Sequence, residues 1–200
     1  MKVIGLTGGI GTGKSTVSAY LNEKGCIILD ADKMSRELTA PGGAALSSIR
    51  EAFGDEVFFD DGTMNRKLVG TIVFNDESKR HILESIITAK VVEQTIDEVN
   101  RMQEEGFDGI VILDAPLLFE FGMEKYADES WLVTADLDVR LERIMKRDGL
   151  DRKSILERIS SQMSDEQKIA IADFIIDNSE DLGHLYRQID ILIERVMNEK

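Results

Sequence analysis

The chain has 200 residues, 42% of them hydrophobic and 31% charged, with a formal net charge of −14. That size and composition describe one compact domain with room for a modest insertion, and they exclude a disordered polymer. The acidic balance argues against a nucleic-acid footprint, which needs a basic face or stripe; no apolar run reaches the ~18 residues of a membrane span and no signal-like stretch follows Met1 and Lys2, so a cytoplasmic protein without a membrane partner is expected.

The first expected strand, "KVIGLTG", leads into Gly8 to Ser15, G-G-I-G-T-G-K-S, and then into a helix from about Lys14 to Lys24. This is a full match to G-x-x-x-x-G-K-[ST], placed after a strand and at the start of a helix. Glycines permit the dihedrals and the close approach that let successive N–H groups turn inward to an anion. Lys14 adds charge at the β- and γ-phosphates, Ser15 offers a hydroxyl to Mg²⁺, and the helix points its positive end at the same place. A glycine-rich turn that binds nothing has no need of the lysine and the hydroxyl, so nucleotide binding follows. In a chain this acidic, phosphates must be met by basic residues concentrated locally, which makes each arginine near the site informative.

The loop does not name a reaction, because motors, switches, GTPases and small-molecule kinases share it. The guanine-reading N-K-x-D of a GTPase is absent, and the size is that of a small-molecule kinase.

The second strand is "CIILD". The single cysteine, Cys26, has no internal disulfide partner and reads as a small buried hydrophobe without chemistry. "ILDADK" is expected to place Asp30 and Asp32 at the C-terminal end of this strand, pointing to the same side of extended chain, at the edge where ligands collect in open parallel sheets. Two carboxylates there would orient an acceptor hydroxyl, take its proton, or hold Mg²⁺ through water; Asp30 could instead cap a helix that starts near Lys33.

From about residue 36 to 105 no core strand is expected. "PGGAALSSIREAFG" and "NRKLVGTIVF" read as short helices, and "DESKRHILESIITAKVVEQTIDEVNRMQEE" reads as a long one. In a kinase such an insertion is where the acceptor would be held. The third strand, "GIVILDA", ends on Asp114, placed to reach the metal directly or through water before Pro116 turns the chain away.

The fourth strand is "SWLVTA" and the fifth is "DFIID", with the charged segment "DLDVRLERIMKRDGLDRKSILERISSQMSDEQK" running between them. Most of that segment's charges read as a solvated helical face. Five apolar runs without polar alternation indicate strands buried on both faces, hence an α/β, three-layer fold around a five-stranded parallel sheet.

Taken together the motifs resemble the dephospho-coenzyme A kinase family, through "LTGGIGTGKSTV", "DADKMSREL", "PGGAAL", "DGTMNRKLVGTIVF", "DAPLLFE", "RLERIMKRDG", "RISSQMS" and "ADFIIDN". The loop is generic; D-A-D, "PLLFE" and "ADFIIDN" in this order are more specific. The resemblance covers nearly the whole chain and implies a single P-loop kinase domain over 1–200, a helical acceptor-binding insertion at about 36–105 and a lid at about 140–165. It implies transfer of the ATP γ-phosphate to the ribose 3′-hydroxyl of dephospho-coenzyme A, with Mg²⁺.

By the same resemblance Gly11, Thr12, Gly13, Lys14, Ser15 and Thr16 would hold ATP phosphates, and Asp32 would accept or orient the 3′-hydroxyl proton. Arg36 and Arg66 would lie near the acceptor, Arg143 and Arg147 in the lid, and Asn178 in the turn beside adenine. Lys14 and Asp32 would carry the catalysis, and Ser15 and Asp114 the metal. One departure stands out: the family commonly has His-Pro in the long helix, where this chain has Thr88 and Ala89. His81 and His184 read as ordinary surface residues. The rival readings are a nucleoside monophosphate kinase, which would phosphorylate AMP, or another P-loop kinase with a small acceptor, and a nucleotide-binding switch, which would show no acceptor-dependent ADP release.

Overall fold

The computed structural model describes residues 1–199. Its strands are β1 (Lys2–Gly8), β2 (Ile27–Asp30), β3 (Ile110–Asp114), β4 (Glu129–Thr134) and β5 (Phe174–Asp177), in one sheet of order β2-β3-β1-β4-β5. β1 pairs in parallel with β3 and β4, and β4 with β5. The helices are α1 (Lys14–Glu23), α2 (Ala31–Leu38), α3 (Leu46–Phe53), α4 (Arg66–Asn75), α5 (Glu77–Glu104), α6 (Leu137–Asp148), α7 (Arg152–Ser160), α8 (Asp165–Ile171) and α9 (Leu182–Asn198). The expected α/β fold with a five-stranded parallel sheet is present. Contacts divide the chain into two compact units, Met1–Leu29 with the chain from Met102 onward, and Asp30–Arg101.

In the first unit the strands are apolar on both faces. All five residues of β3 are buried. One face of the sheet, with Ile4, Leu6, Ile112 and Trp131, packs on Val17 and Leu21 of α1 and on the apolar stripe of α9. That stripe is Leu185, Ile189, Leu192 and Val196, spaced three or four apart, so one side of the helix is buried along its length. Each such side chain contributes about 1.5–3 kcal/mol on burial. Val3, Val111, Leu113 and Leu132, which alternate with the first set along the strands, are buried as well.

β5 is an edge strand. Asn178 N–H donates to Thr134 O of β4 at 2.9 Å, so the main-chain groups of the preceding residue, Asp177, point away from the sheet. Gln188 of α9 takes both: its Oε1 accepts from Asp177 N–H at 3.0 Å and its Nε2 donates to Asp177 O at 2.8 Å.

Between β4 and β5 the chain is set by its caps. Gly149 ends α6 at φ 67°, a left-handed conformation that glycine adopts without penalty. Asp151 accepts from Ser154 N–H at the start of α7, and Ser164 with Gln167 forms a capping box on α8. The expectation of a solvated face fails at two positions. Arg140 is 2% exposed and Lys168 is fully buried. Each is ion-paired, Arg140 Nη1 to Asp165 Oδ2 at 2.6 Å and Lys168 Nζ to Glu120 Oε1 at 2.9 Å, which is what allows a charge to leave water.

The second unit is helical. Its buried residues include Met34, Leu38, Ile49, Phe53 and Val69. Lys79 donates to Ala52 O at 3.2 Å and lies over the Phe53 ring, tying α5 to α3. α5 runs unbroken through Thr88 and Ala89, where a proline would remove a backbone donor.

One expectation about this unit is corrected. Asp30 and Asp32 do not share a face of extended chain, because the strand ends at Asp30 and helix begins at Ala31. Asp30 is the N-cap of α2, its Oδ1 accepting from Lys33 N–H at 2.9 Å. Asp32 lies in the first helical turn and is exposed. The cap decides the matter: once the Asp30 side chain satisfies an orphan helix donor, the backbone has turned, and two-residue alternation no longer applies.

Candidate active site

β1 stops at Gly8 and α1 starts at Lys14, so the residues from Gly9 to Gly13 form the loop between them. Thr12 closes it: its N–H and its Oγ1 both bond Gly9 O, at 3.2 and 2.9 Å. Gly13 sits at φ 88° and begins α1 in left-handed conformation; a Cβ there would come within 2.2 Å of Asn178 Nδ2. Gly11, at φ 82°, would bring a Cβ within 2.8 Å of Ile144 Cδ1. Both positions therefore demand glycine for backbone and for space.

Lys14 is the first residue of α1, and its ammonium forms an ion pair with Asp114, the last residue of β3. Asp114 stands beside Leu6 in the β1–β3 register, near the strand end that feeds the loop. Ser15 is exposed on the first turn of α1, and Thr16 N–H donates to Gly13 O at 2.9 Å.

The turn after β5 reaches the same loop. Asn178 is buried, and its Nδ2 donates to Thr12 O at 2.8 Å. Arg143 of α6 donates from Nη2 to Asn178 O at 2.9 Å. Its Nη1 is buried with no acceptor among the described residues, and lies 3.7 Å from where a Cβ on Gly13 would be. The structure thus brings together Thr12, Gly13, Arg143 and Asn178, four residues singled out from sequence. The loop thus carries an ammonium at its end and, beside it, a buried guanidinium nitrogen without an acceptor among the described residues, a set of positive groups that suits an anion.

The family model for dephospho-CoA kinase matches residues 2–184. The chain belongs to the dephospho-CoA kinase family. It is therefore an enzyme, a phosphotransferase. The chain is 39% identical to a dephospho-CoA kinase of Shouchella clausii, over 98% of this chain and 99% of that one, and 39% identical to one of Listeria innocua, over 100% and 99%. Among solved structures, the TT1252 protein of Thermus thermophilus superposes with a TM-score of 0.77 at 31% identity, covering 97% of each chain. A dephospho-CoA kinase from Campylobacter jejuni gives 0.70 at 26%, over 97% of this chain and 96% of that one. A shikimate kinase from Bacteroides thetaiotaomicron, at 0.52 and 15%, shares the fold.

Other residues of this kinase singled out from sequence have partners of their own. Arg147 is exposed and paired with its neighbour Asp148 at 2.7 Å, which holds that carboxyl below the usual carboxylate range. Asp32, Arg36 and Arg66 belong to the second unit. Arg36 Nε donates to Asp32 O at 3.1 Å, and Arg66 Nη2 donates to Thr39 O and Oγ1 at 2.9 and 3.0 Å.

Sequence reasoning passed over several residues that hold the loop. Thr7 Oγ1 donates to Pro116 O at 3.1 Å, joining the ends of β1 and β3. Arg140 Nε donates to Ile10 O at 2.9 Å, and Gln162 Oε1 accepts from Ile10 N–H at 3.1 Å. One signal for Arg140 existed: it occupies the helix face of Leu141 and Ile144, the face that turns inward. Nothing in spacing or composition marks Gln162.

Proposed function

We propose that the chain transfers the γ-phosphoryl group of ATP to the ribose 3′-hydroxyl of dephospho-coenzyme A, giving coenzyme A and ADP, in the cytoplasm. The observation that carries this reading is the loop from Gly8 to Thr16, closed, ion-paired and flanked by Arg143, in a member of this family. No helix of the described residues is long and apolar enough to cross a membrane.

Phosphoryl transfer asks little covalent work of the protein; rate comes from alignment and from neutralising charge that spreads over the phosphoryl oxygens. Residues Gly11 to Thr16 hold the donor phosphates, and Lys14 moves from Asp114 to the β- and γ-phosphates. Arg143 supplies its spare Nη1 to the nucleotide, and Asn178 fixes the turn beside the base; Arg147 acts from the lid segment. Asp32 orients the acceptor hydroxyl or takes its proton, with Arg36 and Arg66 binding the acceptor in the helical insertion.

Mg²⁺ fits the donor set. The Ser15 hydroxyl and the Asp114 carboxylate are hard oxygen ligands, and Mg²⁺ takes one or two such groups together with substrate phosphates. When bound there it would supply charge neutralisation for the donor phosphates.

The test is ADP release with ATP and Mg²⁺ against dephospho-coenzyme A, AMP, other nucleoside monophosphates and adenosine. Release dependent on dephospho-coenzyme A alone is expected; preference for AMP would assign a nucleoside monophosphate kinase, and ATP binding without acceptor-dependent release would assign a switch.

A further inference from the structure

Ile10 is an unspecified position of the G-x-x-x-x-G-K-S loop, yet both of its main-chain polar groups are held by side chains from the far end of the sequence. Gln162 Oε1 accepts from Ile10 N–H at 3.1 Å, and Arg140 Nε donates to Ile10 O at 2.9 Å. The Ile10 side chain packs with Leu141 and Ile144 of α6 and Ile155 of α7. The loop is thus pinned at one residue by its backbone and by its side chain.

Gln162 is itself held. It lies in the short turn between α7 and α8, where its N–H donates to Ile159 O at 3.2 Å. The next residue, Met163, donates its N–H to Glu120 Oε1 at 3.3 Å, and the same oxygen is ion-paired with the buried Lys168 of α8. On the other side Arg140 is ion-paired with Asp165, the first residue of α8. The turn is therefore fastened to the segment after β3 and to α6, and Gln162 transmits that fixed position to the loop.

We infer that Gln162 is a positioning residue for nucleotide binding: it fixes the Ile10 amide so that the downstream amides of the loop are arranged for phosphate before ATP arrives. The inference rests on the proposed ATP-dependent reaction for its kinetic readout only, since nucleotide binding can be measured without an acceptor. A loop that must be ordered on binding loses affinity, whereas one held in advance does not. Gln162 touches neither substrate in this account; it acts through Ile10.

The test uses the full chain with Gln162→Met, an apolar substitution of similar length, and Gln162→Ala as a second variant. Three quantities are read: amide hydrogen exchange at Ile10, affinity for a non-hydrolysable ATP analogue, and KM and kcat for each substrate. Loss of one neutral hydrogen bond should weaken the analogue and raise the KM for ATP by about 5-fold. Ile10 exchange should quicken, while kcat, the KM for dephospho-coenzyme A and exchange in β1 and β3 stay within twofold of the parent.

Faster Ile10 exchange with unchanged analogue affinity in both variants would overturn the inference. So would equal loss of kcat and of affinity for both substrates with a lowered Tm, the mark of a merely structural residue. Failure of the parent protein to use dephospho-coenzyme A would count against the proposed reaction, and the analogue affinities would still decide the role of Gln162.

Discussion

The ammonium of Lys14 and the carboxylate of Asp114 are ion-paired across the gap between the start of α1 and the end of β3. The pair holds the lysine at the mouth of the loop and gives the buried carboxylate a counter-charge. Two substitutions separate its halves. Lys14→Ala should weaken ATP at least ~10-fold, as expected for loss of a charge-assisted contact, and should lower turnover as well. Asp114→Asn should leave ATP affinity within a few fold but shift the Mg²⁺ titration of activity to about tenfold higher concentration, ~1.4 kcal/mol. Calorimetry for binding and a Mg²⁺ series for rate check both; unchanged ATP affinity in Lys14→Ala would remove the lysine from the phosphate site.

The two carboxylates of D-A-D should behave differently. Asp30→Ala removes the α2 cap and should destabilise the protein by about 1 kcal/mol in urea unfolding. Asp32→Asn should keep ATP affinity and stability while kcat falls about 10²- to 10⁴-fold, the range of a lost general base. Wild-type turnover in Asp32→Asn would remove it from the chemistry.

Gly13→Ala combines a left-handed backbone with a methyl group aimed at Asn178 Nδ2. The backbone alone costs about 1–2 kcal/mol, and the Asn178–Thr12 hydrogen bond must shift besides. For a domain of this size each kcal/mol lowers Tm by about 2–4 °C. Nucleotide affinity should fall together with Tm, and a variant of unchanged Tm would contradict the packing described.

Burial pushes the Cys26 thiol up to about 11. Its neutral form is the one the fold favours, so this contribution is whole below the ordinary thiol range and is lost as pH rises toward 11. Alkylation by iodoacetamide at pH 8 should be slow in the native protein and rapid in urea. Fast native labelling would show that the thiol is not enclosed.

The order of strands and helices was legible from sequence because apolar runs, glycines and a complete phosphate loop are local signals. The Asp30 cap was legible only as an alternative: an aspartate at a strand end looks the same whether it serves a ligand or the next helix, and the local backbone decides. Arg140, Gln162 and Lys168 were hidden for another reason. Their partners, Ile10 and Glu120, lie far away in the chain, and a charged or amide residue in a charged segment carries no mark of the distant group it will meet. Arg143 and Asn178 came from family likeness, and their meeting around Thr12 and Gly13 is a property of the fold.

The Gln188 side chain on Asp177 has a consequence outside catalysis. An open strand at the rim of a sheet is a template on which a foreign chain can add. Here one primary amide imitates a neighbouring strand for a single residue and occupies the donor and the acceptor that an incoming chain would need first. The rim of β5 is capped from within at Asp177, so a copy of the protein meeting that edge would find the ladder interrupted at its end.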